Sequence, residues 1–234
     1  MGKAFDFTLI WTFLSQLIPY LYVTLEIVAF STIAGVIIGV VAAIPRIFKI
    51  PFLSQLVVLY ASFVRGTPIL IQLFLVFYGI PAFILLFGWD VSKVNPMYFV
   101  TITYSLSNGA VFSEIFRSAI RAVDRGQTEA ALSIGMSDTQ NFIRIVIPQA
   151  LGIALPNMAN TVIGSLKDTS LAFTIGVMDM VGRGEALVAS SMHALEVYIA
   201  LSVIYYGVVW VMERGFQLFE KRANRYKPSV MKST

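Results

Sequence analysis

A polar face within an otherwise apolar stretch carries the side chains best suited to bind a solute. Four positions, 157, 161, 164 and 168, recur at helical spacing and therefore lie on one side of a helix, with a second Asn beside them. Lys167 lies about 100° round from Asp168, so the two need not pair within that helix. The polar side chains of this region are Asn157, Asn160, Thr161, Lys167, Asp168 and Ser170.

Two interpretations of this polar face stay open on the residues alone. Charged groups at membrane depth face a bundle interior or a cavity, because exposure to lipid is costly. Lys167 and Asp168 then either pair with neighbouring helices and hold the bundle together, or line the path of a zwitterionic solute. The carboxylate and the ammonium of such a solute would need opposite charges.

The polar face must be positioned by membrane helices, as the composition requires. Hydrophobic residues make up 57% of the chain and charged residues 13%, against roughly 45–50% and about 25% in soluble domains. A bilayer core of about 30 Å needs roughly 20 apolar residues in a helix, and several windows supply them. We predict an all-α polytopic membrane protein with a single domain over residues 1–234.

About five transmembrane helices are expected. Predicted spans cover residues 22–44, 69–86, 96–115, a fourth from about residue 151, and 194–212. A short helix precedes the second span, and residues 171–193 are predicted to be broken or re-entrant. In the first span Ser31, Gly35, Gly39 and Ala43 recur every fourth residue, a pattern that lets a second helix approach closely.

The break before the second span lies at Arg65-Gly-Thr-Pro68. Pro68 interrupts a helix, Gly66 frees the backbone, and Arg65 can extend to lipid phosphates. A role in gating or in the solute path is the open alternative to this structural explanation.

Lys and Arg are distributed asymmetrically along the chain. The first connection carries two, the region 117–144 four and the C-terminal tail six, whereas the opposite side carries three. The positive-inside rule therefore places the N-terminus outside and the C-terminus in the cytoplasm. The net charge of +4 follows the membrane, so no nucleic-acid partner is expected.

A polar stretch on the predicted cytoplasmic side forms two short helices that meet at a corner. Asp124 is expected to cap the first helix, with the Gln127 side chain bonding back to the backbone amide of the cap. Gly135 can adopt the left-handed conformation that ends this helix. Ser137 and Gln140 have the spacing of a second capping box. Pro148 then marks a boundary. A capped helix pair on a membrane protein is typical of a docking element.

This stretch resembles the cytoplasmic coupling-loop motif of ATP-binding-cassette (ABC) importer permeases. The motif is Glu-Ala-Ala, three residues, Gly, nine residues and Ile-x-Leu-Pro, and the chain departs from it only at Ile147. The full spacing favours the motif over an ordinary helical hairpin. The resemblance implies a type I ABC importer permease fold and assigns ATPase coupling to Glu129, Ala130, Ala131, Gly135, Ile145 and Pro148.

Three further segments resemble the polar amino-acid uptake branch of these permeases. They are Arg65-Gly-Thr-Pro68 with Gln72, Ser107-Asn-Gly-Ala110 with Glu114 and Arg117, and Leu166-Lys-Asp-Thr-Ser-Leu171. The resemblance implies that the region 160–170 faces the solute. We also expect gating or pathway roles for Arg65, Gln72, Asn108 and Glu114.

The same resemblance implies a set of partners in a bacterial plasma (inner) membrane. Two ABC ATPase subunits would lie beneath a dimer of this chain with itself or with a sister permease. An extracellular or periplasmic amino-acid-binding protein would deliver the substrate. ATP and Mg would be bound by the partner ATPase, and no cofactor is expected in this chain.

The residue after Asn160 narrows the substrate class. Some members that carry cationic amino acids have an acidic residue at this position, and this chain has Thr161. A neutral or dipolar polar amino acid is therefore expected. As a whole the chain resembles the cystine importers.

Two other functions fit the residues less well. An ion-coupled secondary amino-acid transporter usually shows internal repeats and discontinuous helices, and no repeat is evident. A membrane enzyme would need a cluster of His or carboxylates, but His193 is the only histidine and there is no cysteine, so no catalytic or metal-ligating residue is proposed. The chain also lacks a Gly-x-x-x-x-Gly-Lys-Ser/Thr phosphate loop and is not expected to hydrolyse ATP.

Overall fold

The computed structural model describes residues 4–223, and helices account for nearly all of this segment. Two 3-10 turns, Ile18–Tyr20 and Thr169–Ile175, and one π-helical turn, Phe142–Val146, link successive helices. The helices are α1 Phe7–Leu17, α2 Leu21–Ile47, α3 Leu53–Gly66, α4 Ile69–Leu85, α5 Pro96–Arg121, α6 Arg125–Ser133, α7 Asp138–Asn141, α8 Ile147–Asp168, α9 Met180–Ser191 and α10 Ala194–Ala223.

Three helical runs of the described chain are long and apolar enough to cross a membrane. They are Phe7–Ile47, Asp138–Ile175 and Ala194–Arg222, and the bent pair α3–α4 gives a fourth when its two helices are counted as one span. Helix α5, with 26 residues, is long enough to span as well but carries more polar side chains. The all-α polytopic fold predicted from the sequence is confirmed, and a fifth span formed by α5 stays a prediction.

The closest helix packing joins α2 to α5, and two glycines permit it. A Cβ atom added at Gly35 would lie 2.7 Å from the Cβ atom of Asn108. One added at Gly39 would lie 2.6 Å from that of Phe112. Both approaches are closer than van der Waals contact allows, so the small-residue pattern predicted from the sequence brings these two helices together.

Helix α1 packs against α9 and the first half of α10. Ile10, Phe13 and Leu17 are buried there with Leu187 and Val197. The backbone amide of Asp6 donates to Glu196 Oε1 at 2.9 Å, which ties the start of α1 to the start of α10.

Several element ends differ from the sequence prediction. Helix α2 continues through Pro45 to Ile47, and α5 runs to Arg121 rather than to residue 115. Apolar windows locate the membrane core, but helices extend beyond it wherever polar side chains reach water. Lys3 and the tail residues Arg225, Lys227 and Lys232, which contributed to the predicted orientation, lie outside the described residues.

Candidate docking site and solute path

Helix α6 begins at the predicted cap. The Asp124 side chain accepts a hydrogen bond from the Gly126 amide at 2.7 Å, which satisfies one of the free donors of the first turn. The expected return contact from Gln127 is wrong. Its Oε1 instead accepts from Gln149 Nε2 at 3.5 Å, because the start of α8 lies close enough to compete for it.

The corner between α6 and α7 is built by Gly135. Its φ of +84° lies in the left-handed region that glycine adopts without strain. The Gly135 and Met136 amides bond back to the carbonyls of Leu132 and Ala131 at 3.0 and 3.1 Å. These bonds satisfy carbonyls that the end of α6 would otherwise leave free, as expected for a glycine-terminated helix.

Helix α7 starts with the predicted capping box. The Gln140 amide donates to Ser137 Oγ at 3.3 Å, and the Ser137 amide donates to Gln140 Oε1 at 3.1 Å. The reciprocal pair fixes the direction in which the chain leaves the corner.

The boundary predicted at Pro148 is confirmed, because α8 begins at Ile147 and Pro148 lies in its first turn. The helical run itself continues across this boundary, from Asp138 to Ile175. Proline is tolerated in a first turn, where its missing amide leaves no bond unmade. The π-helical turn Phe142–Val146 joins α7 to α8.

The corner is presented to solvent. Glu129, Ala130, Gly135 and Pro148 are exposed, and Ile134 at the apex is 79% exposed. Of the six predicted coupling residues, Ala131 is buried and Ile145 half-buried, and these two hold the helix pair against the protein. An exposed, rigid, partly apolar pair of helix ends is suited to enter a groove on another protein.

The polar face is also accessible, and it runs along α8 into the 3-10 turn Thr169–Ile175 that follows. Asn157, Asn160, Lys167 and Asp168 are exposed, whereas Thr161 and Ser170 are half-buried. Two hydroxyl groups bond to the backbone of their own segment. Thr161 donates to the Asn157 carbonyl at 2.9 Å, and Ser170 donates to the Lys167 carbonyl at 2.7 Å.

Neither Lys167 nor Asp168, the two charged residues of the polar face, forms an ion pair within the described chain. The ion pairs among residues 4–223 are Arg46–Glu114, Arg117–Glu114 and His193–Glu196. Lys167 and Asp168 take part in none of these. The alternative in which they pair with neighbouring helices of the same chain therefore finds no support in this structure.

Three of the four expected gating residues make contacts within the protein. Gln72 is buried, and its Nε2 donates to the carbonyls of Val64 and Thr67, each at 2.8 Å. It thereby satisfies carbonyls at the 112° bend between α3 and α4. Glu114 pairs with Arg46 and Arg117 and links α5 to α2. Arg65 stays exposed.

Asn108 is the third of the gating residues that make contacts, and it connects α5 to α8. Its buried side chain accepts a hydrogen bond from Ser165 Oγ at 2.7 Å. Tyr104, one turn earlier on α5, donates to the Asp168 carbonyl at 2.6 Å. Sequence reasoning missed Tyr104 and Ser165, because only the packing of α5 on α8 shows that they position the polar face.

The outer ends of α1 and α10 hold a second small cluster that the sequence did not show. Glu196 accepts from the Asp6 amide and lies 2.9 Å from His193 Nδ1. Hydrogen bonds from the Thr8 side chain and amide hold the pKa of the Asp6 carboxyl below its ordinary value. The described residues contain no group of three or more His, Cys, Asp or Glu arranged to hold a metal ion.

The sequence matches one family model over residues 35–225, that of the binding-protein-dependent transport system inner membrane component. Among similar proteins, the L-cystine transport system permease protein TcyL of Bacillus subtilis (strain 168) is 54% identical over 231 residues, covering 99% of this chain and 97% of that protein. The glutamine transport system permease protein GlnP of Escherichia coli (strain K12) is 29% identical, covering 93% and 97%.

Solved structures show the same architecture. A crystal structure of an amino acid ABC transporter with histidines superposes with a TM-score of 0.84 at 28% identity, covering 94% of this chain and all of that one. The MetNI methionine ABC transporter in an inward-facing conformation, at 16% identity, shares the fold with a TM-score of 0.67, covering 94% and 99%. The chain therefore belongs to the family of binding-protein-dependent transport system inner membrane components, the membrane-spanning permeases of such importers.

Proposed function

We propose that this chain is the permease subunit of an ABC importer that carries a dipolar amino acid, and that its substrate is cystine. The observation that carries the proposal is the exposed corner of α6 and α7. It combines the full Glu-Ala-Ala, Gly and Ile-x-x-Pro spacing with helix caps that the residues of the corner themselves supply.

The corner is the docking site for an ABC ATPase in this proposal. Two ATPase subunits bind two permease chains, and ATP and Mg are held by the ATPases rather than by this chain. Nucleotide-driven movement of the ATPase reaches the membrane through Glu129 and Gly135. The continuous helical run from Asp138 then passes that movement directly to α8.

The polar face of α8 is the solute path. Lys167 and Asp168 are exposed and lie outside the ion pairs of the described chain. Adjacent positive and negative side chains suit a solute with a carboxylate and an ammonium. Asn157 and Asn160 add amide groups that can donate to or accept from either end of it.

The choice of cystine depends on two observations. With Thr161 at this position, Asp168 is the one acidic side chain of the polar face, and a substrate with a cationic side chain would favour a second. The relative at 54% identity and another at 33% identity are both named as L-cystine transport system permeases. An extracellular binding protein would deliver the solute, as the family description of binding-protein-dependent transport implies for its members.

Competition for uptake tests the substrate. Vesicles containing the permease, its ATPase and its binding protein would take up labelled cystine while unlabelled amino acids are added in turn. We expect cystine to compete fully, glutamine weakly and lysine or arginine not at all. Equal competition by cationic amino acids, or failure of unlabelled cystine to compete, would contradict the proposal.

A further inference from the structure

An apolar groove lies between α2, α5 and α8 and opens to the outside of the bundle. Its volume is about 480 Å³, and its lining side chains are apolar. Four alanines, Ala43, Ala119, Ala150 and Ala154, are buried at its base, and their small side chains create the depression. We refer to this space, between Val36 and Ile47 along α2, as the leaflet groove.

The length of the leaflet groove matches one half of a bilayer. Val36 and Ile47 both line it, and a helix rises 1.5 Å per residue, so it extends about 16 Å along α2. The hydrocarbon core of a bilayer is about 30 Å thick, which gives about 15 Å for each leaflet. The groove therefore runs from the predicted cytoplasmic surface to about the bilayer midplane.

A polar cleft continues the leaflet groove at its cytoplasmic end. Phe48 and Phe142 line both spaces, with their ring centroids 5.8 Å apart. The cleft is also lined by Lys49, Arg121 and Arg125, all of them exposed. These three basic residues take part in none of the ion pairs of residues 4–223.

One acidic residue, Asp138, also lines the cleft, which leaves its lining with an excess of positive charge. The combined site thus joins a narrow apolar slot to a basic mouth at headgroup depth. Basic pockets between transmembrane helices on the cytoplasmic side are suited to anionic lipid headgroups.

We propose that the leaflet groove and its basic cleft bind one anionic phospholipid of the cytoplasmic leaflet. An acyl chain lies along the alanines, and the phosphate contacts Lys49 and Arg121. An isologous contact with a second copy would bring the same basic residues of the cleft face to face, so the charge of the cleft favours the anionic lipid.

The occupant would influence coupling because of where it lies. Phe142 begins the π-helical turn between α7 and α8, and Phe48 follows the last residue of α2. A lipid that packs against both rings joins the docking corner to the first span.

Native mass spectrometry of the permease–ATPase complex tests the proposal directly. The complex would be titrated with phosphatidylglycerol and with phosphatidylcholine of the same acyl chains. We expect phosphatidylglycerol to be retained and phosphatidylcholine to be largely lost. Each basic residue beside an anionic headgroup contributes about fivefold to affinity, so the double variant Lys49→Gln, Arg121→Gln should bind phosphatidylglycerol about 25-fold more weakly.

The matched control removes two charges from the same side of the membrane but outside the cleft. Lys221→Gln with Arg222→Gln, both exposed at the end of α10, should leave retention of phosphatidylglycerol unchanged. Equal loss in both double variants, or equal retention of the two lipids by the unaltered complex, would overturn the proposal.

A second measurement distinguishes a lipid from a second permease. The chain has no cysteine, so Val40→Cys in the groove wall gives a single thiol. We expect it to resist oxidative cross-linking between permease chains in vesicles. Efficient formation of a cross-linked permease dimer through this thiol would mean that a second copy covers the groove and that the lipid assignment is wrong.

Discussion

The docking corner and the polar face of α8 are both polar segments of an apolar chain, but they are built differently. The corner is stabilised by contacts within a few residues, such as Asp124 to Gly126 and Ser137 to Gln140. The polar face is positioned from another helix, through Ser165 to Asn108, 57 residues away. Docking geometry is therefore locally encoded, whereas solute-path geometry depends on the packing of α5.

The largest effect is expected from a change at the locally built corner. Gly135→Leu forces a branched residue to adopt a φ of +84°, which costs roughly 1–2 kcal/mol. The helix pair can avoid this strain only by changing its angle. We expect substrate-stimulated ATP hydrolysis in reconstituted vesicles to fall at least tenfold, while the subunit still inserts into the membrane.

Gly135→Asn is the matched control for this change. Asparagine tolerates the left-handed conformation, and nothing lies within 4 Å of a Cβ atom at this position. Stimulated hydrolysis should therefore stay within about twofold of the unaltered complex. Normal stimulation in the Leu variant would show that the corner is not the docking site.

The second prediction concerns the charge on the polar face. Asp168→Asn removes an exposed carboxylate without an ion-pair partner in the described chain. Residue 168 contacts the rest of the bundle through its backbone carbonyl, which accepts a hydrogen bond from the Tyr104 hydroxyl. The substitution leaves this hydrogen bond in place. We expect uptake to fall severely, with little change in melting temperature.

Asp90→Asn is the control, because Asp90 is an exposed loop residue whose side chain accepts from the Ser92 amide at 2.9 Å. This variant should transport normally. Thr161→Glu, combined with Asp168→Asn, should shift preference towards cationic amino acids. If the melting temperature falls and the substrate preference is unchanged, Asp168 stabilises the fold and does not contact the solute.

The third prediction tests the packing that positions the polar face. Gly39→Leu places a Cβ atom 2.6 Å from that of Phe112 and 3.1 Å from the Ser113 backbone nitrogen, so α2 and α5 must separate. We expect a clearly lowered melting temperature in detergent. Gly207→Leu on α10, where nothing lies within 4 Å, should leave it nearly unchanged, and equal effects would contradict the packing argument.

The smallest effect is expected at Ser165. Ser165→Ala leaves the buried Asn108 Oδ1 without its hydrogen bond, at a cost of about 1–3 kcal/mol. We expect the melting temperature to fall by a few degrees. Ser170→Ala removes a hydroxyl that bonds to its own segment and should cause no comparable change. Thermal unfolding of both variants side by side provides the measurement.

The same contrast explains what could be predicted from the sequence. Helix caps and glycines in the left-handed conformation depend on residues within one or two turns. The cap at Asp124, the helix end at Gly135 and the capping box at Ser137 were therefore predicted correctly. The Gln127 contact was not, since it depends on where α8 begins in space. The contacts of Gln72 and Asn108 with other segments likewise needed the folded chain, because sequence spacing carries no information on partners 8 or 57 residues away.

Orientation is the assumption common to both regions, and labelling checks it. The chain has no cysteine, so a single cysteine at Ser92, in the loop before α5, should react with an impermeant thiol reagent added outside cells. One at Gln217, exposed near the end of α10, should react only after the membrane is opened. The reverse pattern would place the docking corner on the outer side.

Cross-linking of the corner to an ATPase tests the central claim most directly. A single cysteine at Ser133, exposed at the end of α6, would be treated with a short thiol-to-amine cross-linker in the assembled transporter. We predict a permease–ATPase adduct whose yield changes when ATP is added. A cysteine at Ser92 should give none. Absence of the adduct from Ser133, with the complex intact, would contradict the assignment of this corner as the site through which ATP hydrolysis drives transport.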